Sequence, residues 1–346
     1  MLSIIILNYN GARWIRPCLE SIRKQTIFDK IETIVADNDS QDGSHLVAQE
    51  ILATWNNTEH QYGRMIPNGG NYGYCKGNNM GAIHATQPWL LFLNNDTVLE
   101  PDSMEKLLAE AERLHCSAAT PLVQDYDTTN FQSLGARGFD IFGYPTCRTP
   151  FADSMSVLMP EGCSLLIRKD VFEKLGGFDE QFFMYADEMD LCWRVWITGG
   201  TCYGIPSAII HHRGAAQVNS AGAGKVVELR TSDTKRYYAN RNNLLLLLKN
   251  TTPLFLPIIL LQTLWIIAEG LAGMCLTRRI SFFKHTVWNI FRDVWRLRGH
   301  IVQSRTKIKQ QRQHGDLWML KKFFRLRLNR WDELRRIRKL GLPKVS

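Results

Sequence analysis

The stretch Trp89–Pro101, WLLFLNNDTVLEP, decides how the chain is read. Five apolar residues, Trp89–Leu93, stop at Asn94-Asn95-Asp96; Thr97, Val98 and Leu99 follow, and Pro101 stands at or near the first position of the next helix. A continuous apolar run of this length suits a strand buried on both faces. Asn and Asp at its end suit a turn, since their side chains bond their own backbone. They suit equally a binding edge, where amides and a carboxylate meet something charged.

The neighbouring segments favour the edge. LSIIILN (2–8) is a second apolar strand and IETIVA (31–36) a third. Between them, RWIRPCLESIRKQT (13–26) places Ile15, Leu19 and Ile22 on one helical face. SQDGSHLVAQEILATW opens with helix-start residues, and PDSMEKLLAEAERLH is a further helix. Strand and helix signals that alternate in this way predict an α/β fold with a mainly parallel sheet flanked by helices. In such sheets ligands bind beyond the carboxyl ends of the strands. The first strand ends in NYNG (8–11), the second in DNDSQDG (37–43), and the strand at 89–93 in NNDT (94–97). A Gly/Asn-rich loop, NGGNYGYCKGNNMG (68–81), lies between them. Turn chemistry explains any one cluster; a shared pocket for a polar, phosphorylated ligand explains all four.

Further on, residues 161–200 read as strand, short helix, loop and a helix from near Ala186, and TCYGIPSAIIHH (201–212) as a strand ending in two histidines. The character changes after Gly224, so a catalytic domain over 1–224 and a helical region over 225–346 are expected. Residues 254–276 form an apolar span broken only by Gln262, Thr263 and Glu269, long enough to cross a bilayer or lie within one. Then Ile280, Phe283, Val287, Ile290, Val294, Leu297 and Ile301 recur at helical spacing among basic residues. Residues 317–340 repeat the pattern with Trp318, Phe324, Leu328 and Trp331. Basic amphipathic helices with aromatic residues suit a membrane surface.

Of the 346 residues 45% are apolar, ordinary for a globular protein. The net charge of +9 divides into −7 over residues 1–276 and +16 over 278–346. A basic tail seeks phosphate, either nucleic acid or an anionic membrane face. A nucleic-acid arm would not follow a bilayer-length apolar run, so no nucleic-acid partner is expected. The eight cysteines form no C-x-x-C, which fits reduced, buried thiols in the cytosol. The run after Met1-Leu2-Ser3 is too short for a secretory leader, and none is expected.

The motifs SIIILNYNG, VADNDSQDGS, NGGNYGYCKGNNMGA, FLNNDT, GGFDEQFFMYADEMDLCWR and IIHH, taken in order over about residues 1–215, resemble the family 2 glycosyltransferases, inverting sugar transferases of the GT-A fold. The tail RYYANRNNLLLLLKN, with its apolar and basic sequel, resembles the subgroup that builds bacterial surface polysaccharides, of which rhamnosyltransferases are the best-known members. The resemblance implies that Asp37 contacts nucleobase or ribose, that Asn8, Tyr9 and Asn10 line the same cleft, and that Asn71, Lys76 and Asn78 lie near ribose and diphosphate. Asn94-Asn95-Asp96 stands where the family has D-x-D, with Asn94 in place of the first carboxylate, so the resemblance implies that Asp96 binds the metal and that His211 completes its shell. Asp187-Glu188 inverts the family's usual Glu-Asp, which gives Glu188 the role of base and makes Asp187 its rival.

The chemistry required is consistent with these roles. A nucleotide sugar leaves two negative charges on its diphosphate, which a divalent cation such as Mn²⁺ or Mg²⁺ held by carboxylate oxygen offsets. The acceptor hydroxyl must lose a proton, which a carboxylate within hydrogen-bond reach accepts. The expected donor is dTDP-rhamnose or a UDP-sugar. The expected acceptor is a glycan or lipid-linked glycan, met at the cytoplasmic face of the cell membrane. The blander readings make Asp96 a turn residue, Asp37 a helix cap and Glu188 a first-turn carboxylate. As a whole they would leave an inactive transferase-like binding protein. Asp190 is read structurally, as the ion-pair partner of Arg194 four residues on.

Overall fold

A computed structural model of the chain describes residues 1–56, 61–214, 230–231, 233–326 and 344–345. The strands are β1 (Leu2–Asn8), β2 (Ile31–Asp37), β3 (Gly63–Pro67), β4 (Trp89–Asn94), β5 (Thr97–Leu99) and β6 (Ala118–Asp125), followed by β7 (Phe131–Ser133), β8 (Gly138–Phe139), β9 (Pro145–Thr146), β10 (Met155–Ser156), β11 (Ser164–Arg168) and β12 (Cys202–His212). The helices of the first two thirds are α1 (Ile15–Arg23), α2 (Ser44–Trp55), α3 (Gly73–Ala82), α4 (Ser103–Arg113), α5 (Lys169–Leu175) and α6 (Asp187–Ile197). The chain divides into two units, one of Met1–Gly135, Arg148–Val195 and Gly200–Gly224, the other of Ala136–Cys147, Trp196–Gly199 and Lys225–Ser346. Two short stretches from within the first 224 residues thus belong to the second unit.

The first unit is built on a ten-stranded sheet of order β10-β12-β6-β11-β4-β1-β2-β3, with β5 paired to β12 and β7 to β6. Strands β1 to β4 run parallel, β11 enters antiparallel between β4 and β6, and β12 returns parallel to β6. The register sets Asn8 opposite Asp37 and Leu7 opposite Asn94, so the polar ends of three strands fall along one edge. Ile4, Ile6, Leu91 and Leu93 are fully or almost fully buried, and Ile15, Leu19 and Ile22 of α1 pack into the same core. Burying each such side chain contributes about 1.5–3 kcal/mol.

The Gly/Asn-rich segment differs from its reading as a loop, because Gly73–Ala82 is helical. Its glycines serve close packing. A Cβ on Gly77 would lie 2.4 Å from Leu7 Cδ1, and one on Gly81 2.8 Å from Ile5 Cγ2, so α3 lies against the sheet with no side chain between. Strand β12 carries an irregularity between Ile205 and Ile209, next to Pro206, which cannot donate to the ladder. Beyond it the strand alternates regularly, so His211 and His212 project to opposite faces.

The second unit is helical, with α7 (Asp233–Asn250), α8 (Leu256–Thr277), α9 (Ile280–Phe283), α10 (Asn289–Arg296), α11 (Arg298–Gln311) and α12 (Asp316–Phe323). A π-helical turn, Lys284–Trp288, joins α9 to α10, so the apolar recurrence read from Ile280 to Ile301 is spread over several short helices. Tyr144 donates to Asn240 Oδ1 (2.7 Å), Phe139 packs on Phe255, and Trp196 on Trp318 and Phe323. Among the described residues Pro253–Thr277 is the one helix long and apolar enough to cross a bilayer, by length and composition. Leu328 and Trp331 of the expected 317–340 helix lie outside the described residues.

Candidate active site

The amide of Asn8, at the end of β1, joins three elements. It donates to Asp37 Oδ1 (2.7 Å), Ser40 Oγ (3.1 Å) and Ser44 Oγ (2.8 Å), and its carbonyl accepts from Asn95 Nδ2 (2.9 Å). Asp37 also receives the Ser40 backbone N–H (2.9 Å) and hydroxyl (2.7 Å). The first turn of α2 is held instead by Asp42, which accepts from Ser44 N (3.0 Å) and Ala12 N (2.8 Å). Above this network there is no room. A Cβ on Gly11 would lie 2.2 Å from Asn95 Nδ2 and 2.5 Å from Asn8 Oδ1. Asn8 and Asn95 therefore shape the edge, while Asp37 borders a cavity of about 330 Å³ lined by Asp39, Ser40, Gln41, His45, Met65, Pro67 and Gly69.

The other cleft residues differ in their availability. Tyr9 and Asn10 are exposed, and Asn10 Oδ1 accepts from Gln41 N (2.8 Å). Asn71 Oδ1 accepts from Gly73 N (3.1 Å), and Lys76 Nζ lies 4.2 Å over the Tyr72 ring. Asn78 departs from the expected ribose or diphosphate contact. Its side chain is buried and donates to Tyr74 O (3.0 Å) within its own helix, because position 78 faces inward. Asn94 is half-buried, with its backbone N–H on Cys163 O (3.0 Å).

His212, rather than the expected His211, lies beside Asp96. His211 Nε2 lies 2.7 Å from Glu100 Oε1, on the face away from Asp96. His212 instead sets Nε2 3.3 Å from Asp96 Oδ1, and its Nδ1 is fixed by Gln132 Oε1 (2.8 Å). Strand parity is the physical reason, since adjacent residues of β12 cannot face the same side. Burial works to lower the pKa of His212, but Cys163 and Asp96 raise it well above the ordinary value. Burial pushes the Cys163 thiol up. Among the described residues no three His, Cys, Asp or Glu side chains form a metal cluster. Asp96 would offer an oxygen and His212, once its Nε2 is deprotonated, an imidazole nitrogen, a donor pair that fits Mn²⁺.

At the start of α6 the acidic pair is buried or partly so. Burial, then the charges of Glu188 and Asp190, hold Asp187 well above the usual carboxylate range. Burial and Glu161 likewise push Glu188 up, against the pull of Arg148. Phe183, Tyr185 and Ala186, just before the pair, have φ of 62°, 68° and 59°, a left-handed conformation that costs non-glycine residues energy. Asp190 makes its expected pair with Arg194 (2.8 Å), and Arg194 also donates to Leu175 O and Gly177 O (3.0 Å each). The base of α6 is thereby tied to the turn after α5.

Two consecutive residues connect the acidic pair to the Asp96–His212 pair. A Cβ on Gly162 would lie 3.3 Å from Glu188 Cδ, and Gly162 O accepts from Tyr74 (2.8 Å); Cys163 next to it bonds His212. Glu161, Gly162 and Cys163 carry no motif that sequence reading could single out, nor does Arg148, which pairs with Glu161 (3.2 Å). Arg213 was missed as well. Its guanidinium stacks between Trp14 (4.2 Å) and Tyr126 (4.1 Å), and the Arg213 backbone N–H donates to the backbone carbonyl of Asp96 (3.2 Å).

This arrangement brings together a cavity at the ends of β2 and β3, a carboxylate–imidazole pair after β4, and a second pair of carboxylates with raised pKa. The sequence model of glycosyl transferase family 2 matches residues 3–176, half of the chain, and the chain belongs to that family. It is 28% identical over 243 residues to the N-acetylglucosaminyl-diphospho-decaprenol L-rhamnosyltransferase of Mycobacterium tuberculosis, covering 62% of this chain and 76% of that one. It is 24% identical over 261 residues to rhamnosyltransferase WbbL of Escherichia coli (strain K12), covering 70% and 94%. Among solved structures, GalNAc-T7 with UDP, GalNAc and Mn²⁺ superposes with a TM-score of 0.66 at 14% identity, over 100% of this chain and 59% of that one. The fold is that of the GT-A glycosyltransferases.

Proposed function

We propose that the protein transfers a hexosyl unit, with inversion at the anomeric carbon, from a nucleotide-diphosphate sugar to a hydroxyl of a lipid-linked glycan. L-Rhamnose on dTDP is the favoured donor, given the two rhamnosyltransferase relatives. The observation that carries the reading is the junction at Gly162–Cys163, which joins an acid pair to a carboxylate–imidazole pair on the same sheet edge as the cavity beside Asp37.

Asp37 and the residues around Ser40 receive the nucleoside. Asp96 and His212 would hold a divalent cation, whose charge would offset that of the departing diphosphate. Glu188 accepts the proton of the acceptor hydroxyl as its oxygen attacks the anomeric carbon and the bond to the diphosphate breaks. Its raised pKa matches it to that task, since a base titrating nearer neutrality binds the proton more strongly. Asp187, more deeply buried and flanked by Glu188 and Asp190, positions the start of α6. A lipid-linked acceptor requires work at a membrane surface, and the second unit carries the apolar helix and basic residues for it.

The test is transfer from dTDP-rhamnose and UDP-sugars to a polyprenyl-diphosphate-linked N-acetylglucosamine, with Mn²⁺ and after chelation. The expected product carries the sugar with inverted anomeric configuration. Retention of configuration, or undiminished turnover in EDTA, would overturn the reading.

A further inference from the structure

Helix α8 has its faces reversed relative to a helix in water. Ile258, Gln262, Ile266 and Gly270, four residues apart, face inward, and Glu269 is half-buried beside them. The outward face carries Leu256, Leu260, Leu261, Leu264, Leu271 and Leu276, each 40–66% exposed, with no charged residue among them. The charged group of α8, Glu269, is paired inside the second unit. Glu269 Oε1 takes Arg236 of α7, and Oε2 accepts from Asn240 one turn further along (3.0 Å). Gly270 and Gly273 let α8 close on Val287 and Phe282, where a Cβ would come within 2.1 Å of either side chain.

We infer that α8 does not cross the bilayer but lies along it, its leucine face seated in the acyl layer of one leaflet of an anionic membrane. By length alone the helix could span, since 22 residues extend about 33 Å against a hydrocarbon core of about 30 Å. Its partners forbid that. Spanning would place Glu269 about 12 Å inside and take α7 with it, including Arg236 and the buried polar run Asn240–Asn243. Lying flat, the helix puts only leucine into lipid and leaves α7 on the aqueous side. The surroundings fit a lipid surface in particular. Arg278 and Arg279 are exposed where α8 ends, and Trp288 and Trp295 are 62% and 68% exposed among Lys284, Arg292, Arg296 and Arg298. Exposed tryptophan among cations matches the headgroup layer, and the cations complement anionic lipid.

The inference rests on the membrane attachment in the reading above and not on its sugar chemistry, so the test uses no substrate. Cys275 is the one exposed thiol, on the leucine face near the end of α8; Cys147→Ser removes the half-buried one. The full chain with Cys147→Ser is expressed and treated with a membrane-impermeant maleimide. Cys275 should stay unlabelled in spheroplasts, label at least about tenfold more slowly in inside-out vesicles than in detergent, and label fast once solubilised. Labelling in spheroplasts would mean that α8 spans, leaving membrane attachment standing and this inference overturned. Equal rates in inside-out vesicles and detergent would mean that the face never enters lipid. Recovery in the soluble fraction would overturn attachment and inference together. Leu264→Glu sits on the exposed face, so its circular dichroism should be unchanged while its membrane-bound fraction falls about tenfold; wild-type retention in that variant also overturns the proposal.

Discussion

Helices α4 and α8 obey the same rule in opposite directions. In α4, Met104, Leu107, Leu108 and Ala111 are buried, and Glu105, Lys106, Glu112 and Arg113 face out. In α8 the leucines face out, while Gln262 is buried and Glu269 is paired inside. In the first unit the sheet takes the apolar surface out of water; in the second the inference above assigns that place to a bilayer leaflet. On that reading the contrast separates a unit that does chemistry, sensitive to single polar atoms, from one whose function would be location.

The largest expected effect lies in the first unit. Asp96→Ala should lower transfer on the order of 10³-fold with a soluble acceptor, because the diphosphate charge then goes uncompensated. The same assay on Leu264→Glu should show no change. A loss of similar size in both variants would break the division between the units.

Glu188→Gln should cost about 10²- to 10⁴-fold in kcat with nucleotide binding kept, as measured by calorimetry. The base acts only when ionised and its pKa is raised, so wild-type activity should decline on acidification while the pH is still above the ordinary glutamate value of 4.5. A near-normal rate in Glu188→Gln beside a dead Asp187→Asn would move the base to Asp187.

His212→Ala should weaken Mn²⁺ activation about ten- to a hundredfold, and His211→Ala less than about threefold, since His211 faces Glu100. Titrating Mn²⁺ into both variants measures this directly, and the reverse ranking would restore His211 as the ligand.

The smallest effect is on stability. Asp187 has a folded-state pKa above its unfolded one, so protonation favours the fold, and that contribution is lost as pH rises through the raised value. Asp187→Asn should therefore melt slightly higher than wild type at pH 7, with the gap closing below about pH 3.5. An unchanged gap across that range would show that the carboxylate is not strained by burial.

Much of the architecture could be read from the sequence, because β1, β2 and β4 are continuous apolar runs and α1 and α4 have one-sided apolar faces. The polar strand ends pointed to the edge where Asn8, Asp37 and Asn94 align. What escaped depended on three-dimensional neighbours. The glycines of α3 signalled a loop, yet they permit close packing on Leu7 and Ile5. Two adjacent histidines are equivalent in sequence, and only the register of β12 distinguishes them. Glu161 to Cys163 acquire meaning through the chain crossing between Glu188 and His212, and no local pattern announces a crossing.

The insertion of β11 between β4 and β6 has a consequence for the order of assembly. Strands β1 to β4 pair among the first 94 residues, so the cavity beside Asp37 needs only early, short-range closures. His212 reaches Asp96 only after β12 has paired with β6, more than 80 residues upstream, and such long closures are slow. A chain emerging from the ribosome would thus form the cavity beside Asp37 well before it can bring His212 to Asp96. Pulse-labelled amide exchange during refolding should find β1, β2 and β4 protected before β12, and simultaneous protection would exclude that sequence of events.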